Sequence, residues 1–452
     1  MSNKIAPKTL SGFMELPPEE QMLFDEMRRR LEAAYASFGF YSIDTPVLEA
    51  SEILLAKAGG ETEKQIYRFA KGDTDMTMRF DLTVPLAKYV AKNYGTLTFP
   101  FKRCQIGKVY RGERAQKGRF REFYQADIDI IGDGSLSIVN DAEIPAVICT
   151  ALNSLGLEDF TIRINNRKVL NGLFAMLGMK EQATDVMRTI DKIDKIGREE
   201  VASEIVELGI EREKVDTLLD LLSFRGSNDE VLAKLRGIPD QDASYTEGVE
   251  ELASVLGYAA DFGVPADHMR VDLTIARGLD YYTGTVYETT FNRHPEIGSI
   301  CSGGRYDNLA EYYTDRKLPG VGMSIGLTRL FYILNERKYL NTAWNAPADV
   351  LIIPMVQDLS PAVAASAKLR AAGIRTQIYL EDRKFKHKIS YADKLHIPYA
   401  VFLGEDELAS GRLTLKDMRT GEQKTVTSEE AIDLIRADIT KRMDAKCIVL
   451  PE

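Results

Sequence analysis

One stretch of the sequence constrains the fold more than any other, because it predicts a long antiparallel hairpin. Its arms are residues 101–111 and 121–132, and a hydrophilic loop joins them. Residues i, i+2 and i+4 of an extended strand share one face, so Gln125, Asp127 and Asp129 form a polar row whose opposite face is apolar. The sequence therefore predicts a sheet in which one face of this strand is polar.

This polar row has two interpretations. It could be the solvated face of a sheet, or it could be the floor of a ligand site in which carboxylates and an amide recognise an amine or a polar side chain. The second interpretation is favoured because the partner arm is strongly basic and because no comparable row recurs elsewhere in the sequence.

The charge of the hairpin contrasts with that of the whole chain. The chain has 58 Lys and Arg against 68 Asp and Glu, a net charge of −10, but residues 102–121 hold eight basic residues and a single acid, Glu113. Guanidinium groups bind phosphate oxygens in a bidentate fork, so the hairpin suits a polyphosphate, with a solvated loop as the alternative. The acidic total excludes indiscriminate nucleic-acid binding and leaves selective docking on local basic patches open.

Length and cysteine content narrow the class of protein. A chain of 452 residues with 44% hydrophobic residues predicts about three globular domains. The four cysteines lie far apart, which indicates reduced thiols and disfavours a zinc site built on paired cysteines. The longest uncharged segment, Ile144 to Leu157, is shorter than the ~20 residues of a membrane span. No secretory signal follows Met1, so we expect a cytoplasmic protein without membrane contact.

The hydrophobic pattern divides the chain. An amphipathic helix is expected to begin at Pro17-Pro18 and to end at Gly39. Residues 166–264 are dominated by amphipathic helices, which indicates a helical insertion in a domain made of 1–165 and 265–340. From 347 to 452 strands and helices alternate, which predicts a small α/β domain with a largely parallel core.

Further segments contain residue types that suit a ligand-binding site. Asp81 and Thr83 share a face if extended and suit an α-amino group, although a helix cap or turn at Asp81 explains them equally well. The segment 277–284 combines an Arg, two consecutive Tyr and two Gly, and the alternative for it is a buried Tyr pair beside a surface Arg. The Gly-rich segment 302–307 fits a strand edge that lies against a ligand. The segment 320–330 fits a strand that runs into a helix, with Arg329 near the helix start.

In this order, the motifs resemble those of the histidyl-tRNA synthetases, a family of class II aminoacyl-tRNA synthetases. The hairpin resembles the second class signature and 326–330 the third, while 277–284 and 302–307 are similar to segments peculiar to the histidyl enzymes. The resemblance implies an α+β antiparallel-sheet catalytic domain with a helical insertion, and an anticodon-binding α/β domain over 347–452. It covers nearly the whole chain.

The resemblance also implies roles for individual residues. The amino acid would be histidine, with its α-amino group held by Asp81, Thr83 and Gln125 and its imidazole by Asp129, Tyr282 and the adjacent Tyr281. The catalytic residues would be Arg111 and Arg277, at the carboxylate and the α-phosphate. The residues implied for ATP are Arg111, Glu113, Arg121 and Arg329.

The implied reaction attaches L-histidine to tRNA(His) through a histidyl-adenylate, with ATP as substrate and Mg²⁺ as its companion ion. No metal ligand is assigned among the protein side chains. The first class signature, which includes the long helix and Thr45-Pro46-Val47, lies at a dimer interface in the class, so a homodimer is expected. The alternative is a catalytically inactive relative that serves as a regulatory subunit of histidine biosynthesis. Such relatives usually lack the C-terminal domain and lose the 277–284 motif, both of which this chain keeps.

Overall fold

A computed structural model describes residues 5–56, 65–114, 118–239, 241–275 and 282–451. The chain forms two compact units. The first contains Arg28–Arg337 together with residues up to Met14, and the second contains Glu15–Met27 and Lys338–Glu452. Within the described ranges, no helix is long and apolar enough to cross a membrane.

The first unit is built on a large sheet whose described strands follow the order β1-β5-β6-β11-β10-β9-β7-β8. Neighbours are antiparallel except at the two edges, where β1 joins β5 and β7 joins β8 in parallel. A second, small sheet has the order β2-β4-β3. The strands are β1 Tyr41–Ser42, β2 Leu48–Ala50, β3 Arg68–Lys71, β4 Thr74–Met78, β5 Phe101–Tyr110, β6 Glu122–Ile131, β7 Phe160–Asn166, β8 Met269–Val271, β9 Thr285–Phe291, β10 Ser299–Tyr306 and β11 Gly320–Ile325. The predicted antiparallel-rich sheet of the first unit is confirmed.

The predicted hairpin is the pair β5 and β6 at the centre of this sheet. In its register Arg103 lies opposite Asp129, and Gln105 lies opposite Asp127. The alternate residues Ala126, Ile128 and Ile130 are fully buried on the other face. The period-2 alternation of β6 therefore separates an apolar face from a polar face, as the sequence predicts.

Helices precede and connect the strands. The first helix, α1, runs over Pro18–Ser37, and Gly39 follows it at φ +78°, a backbone conformation that favours glycine at a helix stop. Both the predicted start and the predicted stop are confirmed. The next helices are α2 Ser51–Leu55, α3 Thr83–Asn93 and α4 Val139–Leu155. The last of these packs on β10 and β11.

A run of helices connects β7 to β8, which are parallel neighbours in the sheet. These helices therefore leave the sheet and return to it at adjacent positions, as an insertion does. They are α5 Arg167–Met176, α6 Ala183–Ile190, α7 Ile193–Ile196, α8 Arg198–Glu207, α9 Arg212–Leu222, α10 Asn228–Arg236 and α11 Ala243–Asp261, and the unit closes with α12 Leu327–Glu336. That residues 166–264 form a domain of their own stays a prediction.

The second unit has a mixed sheet of order β13-β12-β14-β15-β16. The pairs β12/β13 and β12/β14 are parallel, as expected, but β14/β15 and β15/β16 are antiparallel. The sequence analysis missed the β15–β16 hairpin because its strands are short and partly charged. The elements are β12 Val350–Pro354, α13 Ser360–Ala371, β13 Thr376–Ile378, α14 Phe385–Lys394, β14 Tyr399–Leu403, α15 Glu405–Ser410, β15 Leu413–Asp417, β16 Gln423–Val426 and α16 Ser428–Met443.

Candidate active site

A cavity of about 630 Å³ opens over the polar face of the β5–β6 hairpin and the adjoining strands β10 and β11. Most of the residues predicted for the site line this one cavity. They are Asp81, Thr83, Arg111, Glu113, Gln125, Asp129, Tyr282 and Arg329. Arg277 and Tyr281 lie outside the described residues.

The floor of the cavity contains an ion pair that the sequence analysis missed. Arg103 of β5 is fully buried, and its Nη2 lies 2.5 Å from Oδ2 of Asp129. The hydroxyl of Tyr306 donates to Oδ1 of the same carboxylate at 2.6 Å. Burial raises the pKa of Asp129, and both Arg103 and Tyr306 oppose that rise. Strand register could have indicated Arg103, because it is the residue directly opposite Asp129.

Asp127 lies on the same strand face as Asp129 and lines the cavity. Its side chain is 2% exposed, and its Oδ1 has no hydrogen-bond partner in the part of the chain that the structure describes. Burial raises the pKa of this carboxyl to about 7, although Arg103 and Ser324 lower it. The cavity floor thus holds a carboxylate with a vacant acceptor oxygen, which was part of the predicted polar row but received no role.

Asp81 combines the two interpretations that the sequence allowed. Its Oδ1 accepts the backbone N–H of Val84 at 3.0 Å and so caps the start of α3. Its Oδ2 is buried in the cavity wall, and no described residue donates a hydrogen bond to it. Burial raises the pKa of Asp81 to about 6, against the lowering effects of the Val84 hydrogen bond and of Arg111. The cap fixes the carboxyl, and the second oxygen remains available to a ligand.

The side chain of Gln125 makes one hydrogen bond to the residues that the structure describes. Its Nε2 donates to Oγ of Ser324 on β11 at 2.6 Å, while its Oε1 is buried with no partner among the described residues. The amide is therefore oriented with a vacant acceptor in the cavity lining.

The rim of the cavity is basic. The Nε of Arg111 donates to the carbonyl of Phe80 at 3.0 Å, and its guanidinium lies 5.2 Å from the centre of the Phe123 ring. Arg119, which the sequence analysis did not single out, lies 3.8 Å from Glu113. Burial and the nearby charge of Arg119 lower the pKa of Arg329. Guanidinium groups gathered in this way suit a polyphosphate.

Arg121 is the described site residue that the structure does not bring to the cavity. Its Nε donates to the carbonyl of Glu113 at 3.0 Å, and its Nη1 donates to the carbonyl of Ser11 at 3.3 Å. Its guanidinium therefore binds backbone carbonyls, and Arg121 is not among the residues that line the cavity. Arg119 occupies the rim where Arg121 was expected.

The Gly-rich strands bring backbone close to the site. A Cβ on Gly304 would lie 2.6 Å from the carbonyl oxygen of Thr285 and 3.0 Å from the ring of Tyr282. Gly304 lies opposite Gly322 across β10 and β11, and Gly303 and Gly322 are similarly crowded. These glycines let the Tyr282 ring and the floor carboxylates approach the sheet.

Gly322→Ala is expected to destabilise the first unit by about 1–3 kcal/mol, the usual range for overpacking. A Cβ at this position would collide with the carboxyl of Asp129 and with the carbonyl of Ile128. Calorimetric unfolding of the full chain measures the loss. Gly257→Ala in α11 is the control, because no atom lies within 4 Å of its added Cβ. Equal stability of the two variants would mean that Gly322 has room for a side chain, contrary to this prediction.

Asp127→Asn is expected to stabilise the ligand-free protein more at pH 8 than at pH 5.5. The folded chain keeps a proton that the unfolded chain releases near 3.8, so wild-type stability falls as the pH rises toward about 7. Between pH 5.5 and the pKa of about 7, wild-type stability is expected to fall by about 2 kcal/mol. Unfolding at both pH values checks it, with the exposed Asp133→Asn as control. If Asp127→Asn stabilised the protein equally at both pH values, burial of the Asp127 charge would not be destabilising the wild type.

The described residues contain no group of three His, Cys, Asp or Glu side chains that could hold a metal ion. The four cysteines are buried. Glu113 is the cavity carboxylate that lies beside the basic rim. Mg²⁺ in phosphate sites commonly takes one or two carboxylates together with substrate phosphates, and this donor set fits such an ion.

Comparison with known proteins identifies relatives over nearly the full length. A family profile described as histidyl-tRNA synthetase matches residues 12–330, and one described as anticodon binding domain matches 349–438. The histidine–tRNA ligase of Clostridium tetani is 54% identical over 433 residues, which cover 96% of this chain and 98% of the relative. That of Finegoldia magna is 46% identical over 432 residues, with coverage of 96% and 100%.

The fold has a close counterpart among solved structures. The crystal structure of histidyl-tRNA synthetase from Nostoc sp. PCC 7120 superposes with a TM-score of 0.89 at 40% identity. The match covers 96% of this chain and 100% of that chain. Sequence and structure comparisons therefore agree on one family.

Proposed function

The chain belongs to the histidyl-tRNA synthetase family, and from this premise we propose how its residues carry out the family's reaction. Its function is the ATP-dependent attachment of L-histidine to tRNA through a histidyl-adenylate. The observation that carries the proposal is the convergence, in one cavity, of vacant buried oxygens on Asp81 and Gln125 with the guanidinium of Arg111.

The amino end of histidine is assigned to Asp81, Thr83 and Gln125. An α-ammonium group offers three N–H donors, and a carboxylate or amide oxygen without a partner accepts them. Asp81 Oδ2 and Gln125 Oε1 are such oxygens, and Thr83 adds a hydroxyl at the start of α3. The ammonium would also balance the buried charge of Asp81.

The imidazole is assigned to Asp129 and Tyr282, with Tyr281 beside them. A neutral imidazole has one donor and one acceptor nitrogen, which a carboxylate and a phenol match. Gly304 supports this arrangement because its missing side chain leaves room for the Tyr282 ring.

The carboxylate of histidine and the α-phosphate of ATP are assigned to Arg111 and Arg277. Arg329 would bind the γ-phosphate end and Glu113 the rest of the ATP site. Arg121 would reach the phosphates only if its hydrogen bonds to the carbonyls of Ser11 and Glu113 were broken. We therefore place Arg119 at the phosphates in its stead.

The chemistry needs positioning and charge stabilisation. The histidine carboxylate attacks the α-phosphorus in line, pyrophosphate leaves, and the histidyl group passes to the terminal ribose of the tRNA. The arginines hold the reacting oxygens and stabilise the charge that develops on them. Mg²⁺, entering with ATP beside Glu113, would neutralise phosphate charge. No protein nucleophile is required.

The second unit is proposed to bind the anticodon region of tRNA(His), because its residues 349–438 match an anticodon-binding profile. Its basic segment Arg383–Lys388 supplies local positive charge although Lys and Arg equal Asp and Glu in number over 347–452. We also propose a cytoplasmic homodimer. The exposed apolar side chains Tyr41, Leu48 and Phe69 of the first unit suit a partner surface.

The function is tested by charging of tRNA. Purified protein, ATP, Mg²⁺ and labelled histidine are expected to give acid-precipitable histidyl-tRNA, and omission of ATP is expected to abolish it. Failure to charge any tRNA(His) transcript would favour the regulatory alternative. Nothing in the comparisons favours that alternative over the synthetase.

A further inference from the structure

Arg79 is a buried arginine that the assigned roles do not use. It lies in the short connection between β4 and α3 and is 2% exposed. A guanidinium is costly to bury unless its donors are satisfied, so a buried arginine indicates a network that it holds together. Arg79 is not among the residues that line the cavity. Any contribution to the reaction must therefore act through the residues that it binds.

The side chain of Arg79 bridges two segments that are far apart in the sequence. Its Nε donates to the carbonyl of Lys108, near the end of β5, at 2.8 Å. Its Nη1 donates to Oδ1 of Asp44 at 3.1 Å and to the carbonyl of Thr45. The Asp44 side chain is 80% exposed, so this ion pair contributes little and the two carbonyls are the partners that matter.

The backbone next to this guanidinium connects it to the cavity rim. The N–H of Arg79 donates to the carbonyl of Val47 at 2.9 Å, and the N–H of Tyr110 donates to the carbonyl of Arg79 at 2.9 Å. The following carbonyl, that of Phe80, accepts the Nε of Arg111 at 3.0 Å. The carbonyl that orients Arg111 is thus one residue away from an arginine that is fixed by both its backbone and its side chain.

Gly107 of β5 leaves the space that the Arg79 guanidinium occupies. A Cβ on Gly107 would lie 2.6 Å from Nη2 of Arg79. Glycine weakens a strand interior and often marks a site of close approach. Here the group that approaches is the guanidinium, so position 107 offers a way to displace Arg79 without removing it.

Asp81 follows Phe80 in the chain but has an anchor of its own. Its Oδ1 accepts the N–H of Val84 at 3.0 Å, which fixes the carboxyl on the first turn of α3. A displacement of Arg79 is therefore expected to affect Arg111 more than the carboxyl of Asp81.

We propose that Arg79 is a positioning residue for adenylate formation. It holds the connection between β4 and α3 so that the Phe80 carbonyl keeps the Arg111 guanidinium at the reacting groups. This inference rests on the proposed function, because it takes Arg111 as the residue at the histidine carboxylate and the α-phosphate.

The test is histidine-dependent ATP–pyrophosphate exchange by the full chain carrying Arg79→Met, alone and combined with Arg111→Ala. A misplacement of about 1 Å can cost about 100-fold in rate, so Arg79→Met alone is expected to lower kcat/KM about 10- to 100-fold. In the Arg111→Ala protein the same change should lower the residual exchange by less than about twofold, because the group that Arg79 positions is already absent. A residue that only stabilised the fold would give equal losses in both proteins.

Gly107→Ala displaces the guanidinium while Arg79 itself is kept. The added Cβ would meet the flexible end of that side chain, so we expect the strand to fold. Exchange should fall about fivefold or more, and again only where Arg111 is present. The matched control is Arg68→Met, since Arg68 of β3 is an exposed arginine paired with Asp75, and its exchange should stay within about twofold of wild type. If Arg79→Met does not fold, Gly107→Ala is judged by the same comparison.

The outcomes are distinct. A loss confined to proteins that retain Arg111 supports the inference. Equal losses with and without Arg111, or wild-type exchange in folded Arg79→Met, overturn it. Wild-type exchange in Arg111→Ala would overturn the role of Arg111 and this inference with it. Absence of histidine-dependent exchange in the wild-type protein would overturn the proposed function itself, and that result involves no variant.

Discussion

Arg111→Ala is expected to lower histidine-dependent ATP–pyrophosphate exchange by at least about 100-fold, the scale of losing one oriented transition-state contact. The Arg111 side chain is aimed at the cavity by its bond to the Phe80 carbonyl and by its position over Phe123. It lines the same cavity as the buried oxygens of Asp81 and Gln125 that are proposed to bind the amino acid. Steady-state exchange at saturating histidine and ATP measures the effect.

The matched control for this prediction is Lys108→Ala. Lys108 lies three residues earlier on the same arm, but it pairs with Glu122 at 2.7 Å and does not line the cavity. Its loss should change exchange by less than about twofold, since a half-exposed ion pair contributes little. If both variants kept wild-type exchange, the assignment of Arg111 to the reacting groups would be wrong.

Arg103→Met is expected to destabilise the first unit by about 3–5 kcal/mol, because it leaves Asp129 as a buried carboxylate without its cation. Arg103 is fully buried and pairs with Asp129 at 2.5 Å in the central strand pair of the sheet. Calorimetric unfolding of the full chain in the absence of substrates measures the loss.

A double-mutant cycle separates the pair from the packing of either side chain. Asp129→Asn keeps an acceptor for Tyr306 and removes the charge, so Arg103→Met combined with Asp129→Asn should cost less than the sum of the two single variants. Additive losses, or a loss below about 1 kcal/mol for Arg103→Met, would mean that the ion pair does not organise the floor.

Much of the first unit could be predicted from the hairpin sequence. The alternation in β6 determined which residues face the cavity, and Gln125, Asp127 and Asp129 do share one face. Pro18 and Gly39 bounded α1 because their backbone preferences act locally. Periodicity and turn chemistry are local properties, so a sequence carries them without knowledge of the partner strands.

The pairing of side chains across strands could not be predicted in the same way. That Arg103 meets Asp129 depends on the register of β5 and β6, and that Tyr306 reaches the same carboxyl depends on strands β10 and β11. Arg121 illustrates the same difficulty, since one of the two backbone carbonyls that bind it belongs to Ser11, in a segment that the hairpin sequence does not reveal.

The charge distribution explains how an acidic chain suits polyanionic partners. The eight basic residues between 102 and 121 do not all lie in one place in the structure. Arg103 neutralises a carboxylate of the cavity floor, whereas Arg111 and Arg119 line the rim of the cavity. The net charge of the chain does not show where these arginines lie. Local placement of a few arginines, rather than the total, matches the site to ATP.

The most direct test of the central claim is ATP–pyrophosphate exchange by the purified chain with each of the twenty amino acids in turn. Histidine alone is expected to stimulate exchange, by about 100-fold or more over the reaction without amino acid, in keeping with oriented transition-state contacts at the arginine rim. Exchange that histidine does not stimulate, or that another amino acid stimulates equally, would contradict the assignment of this cavity to histidine activation.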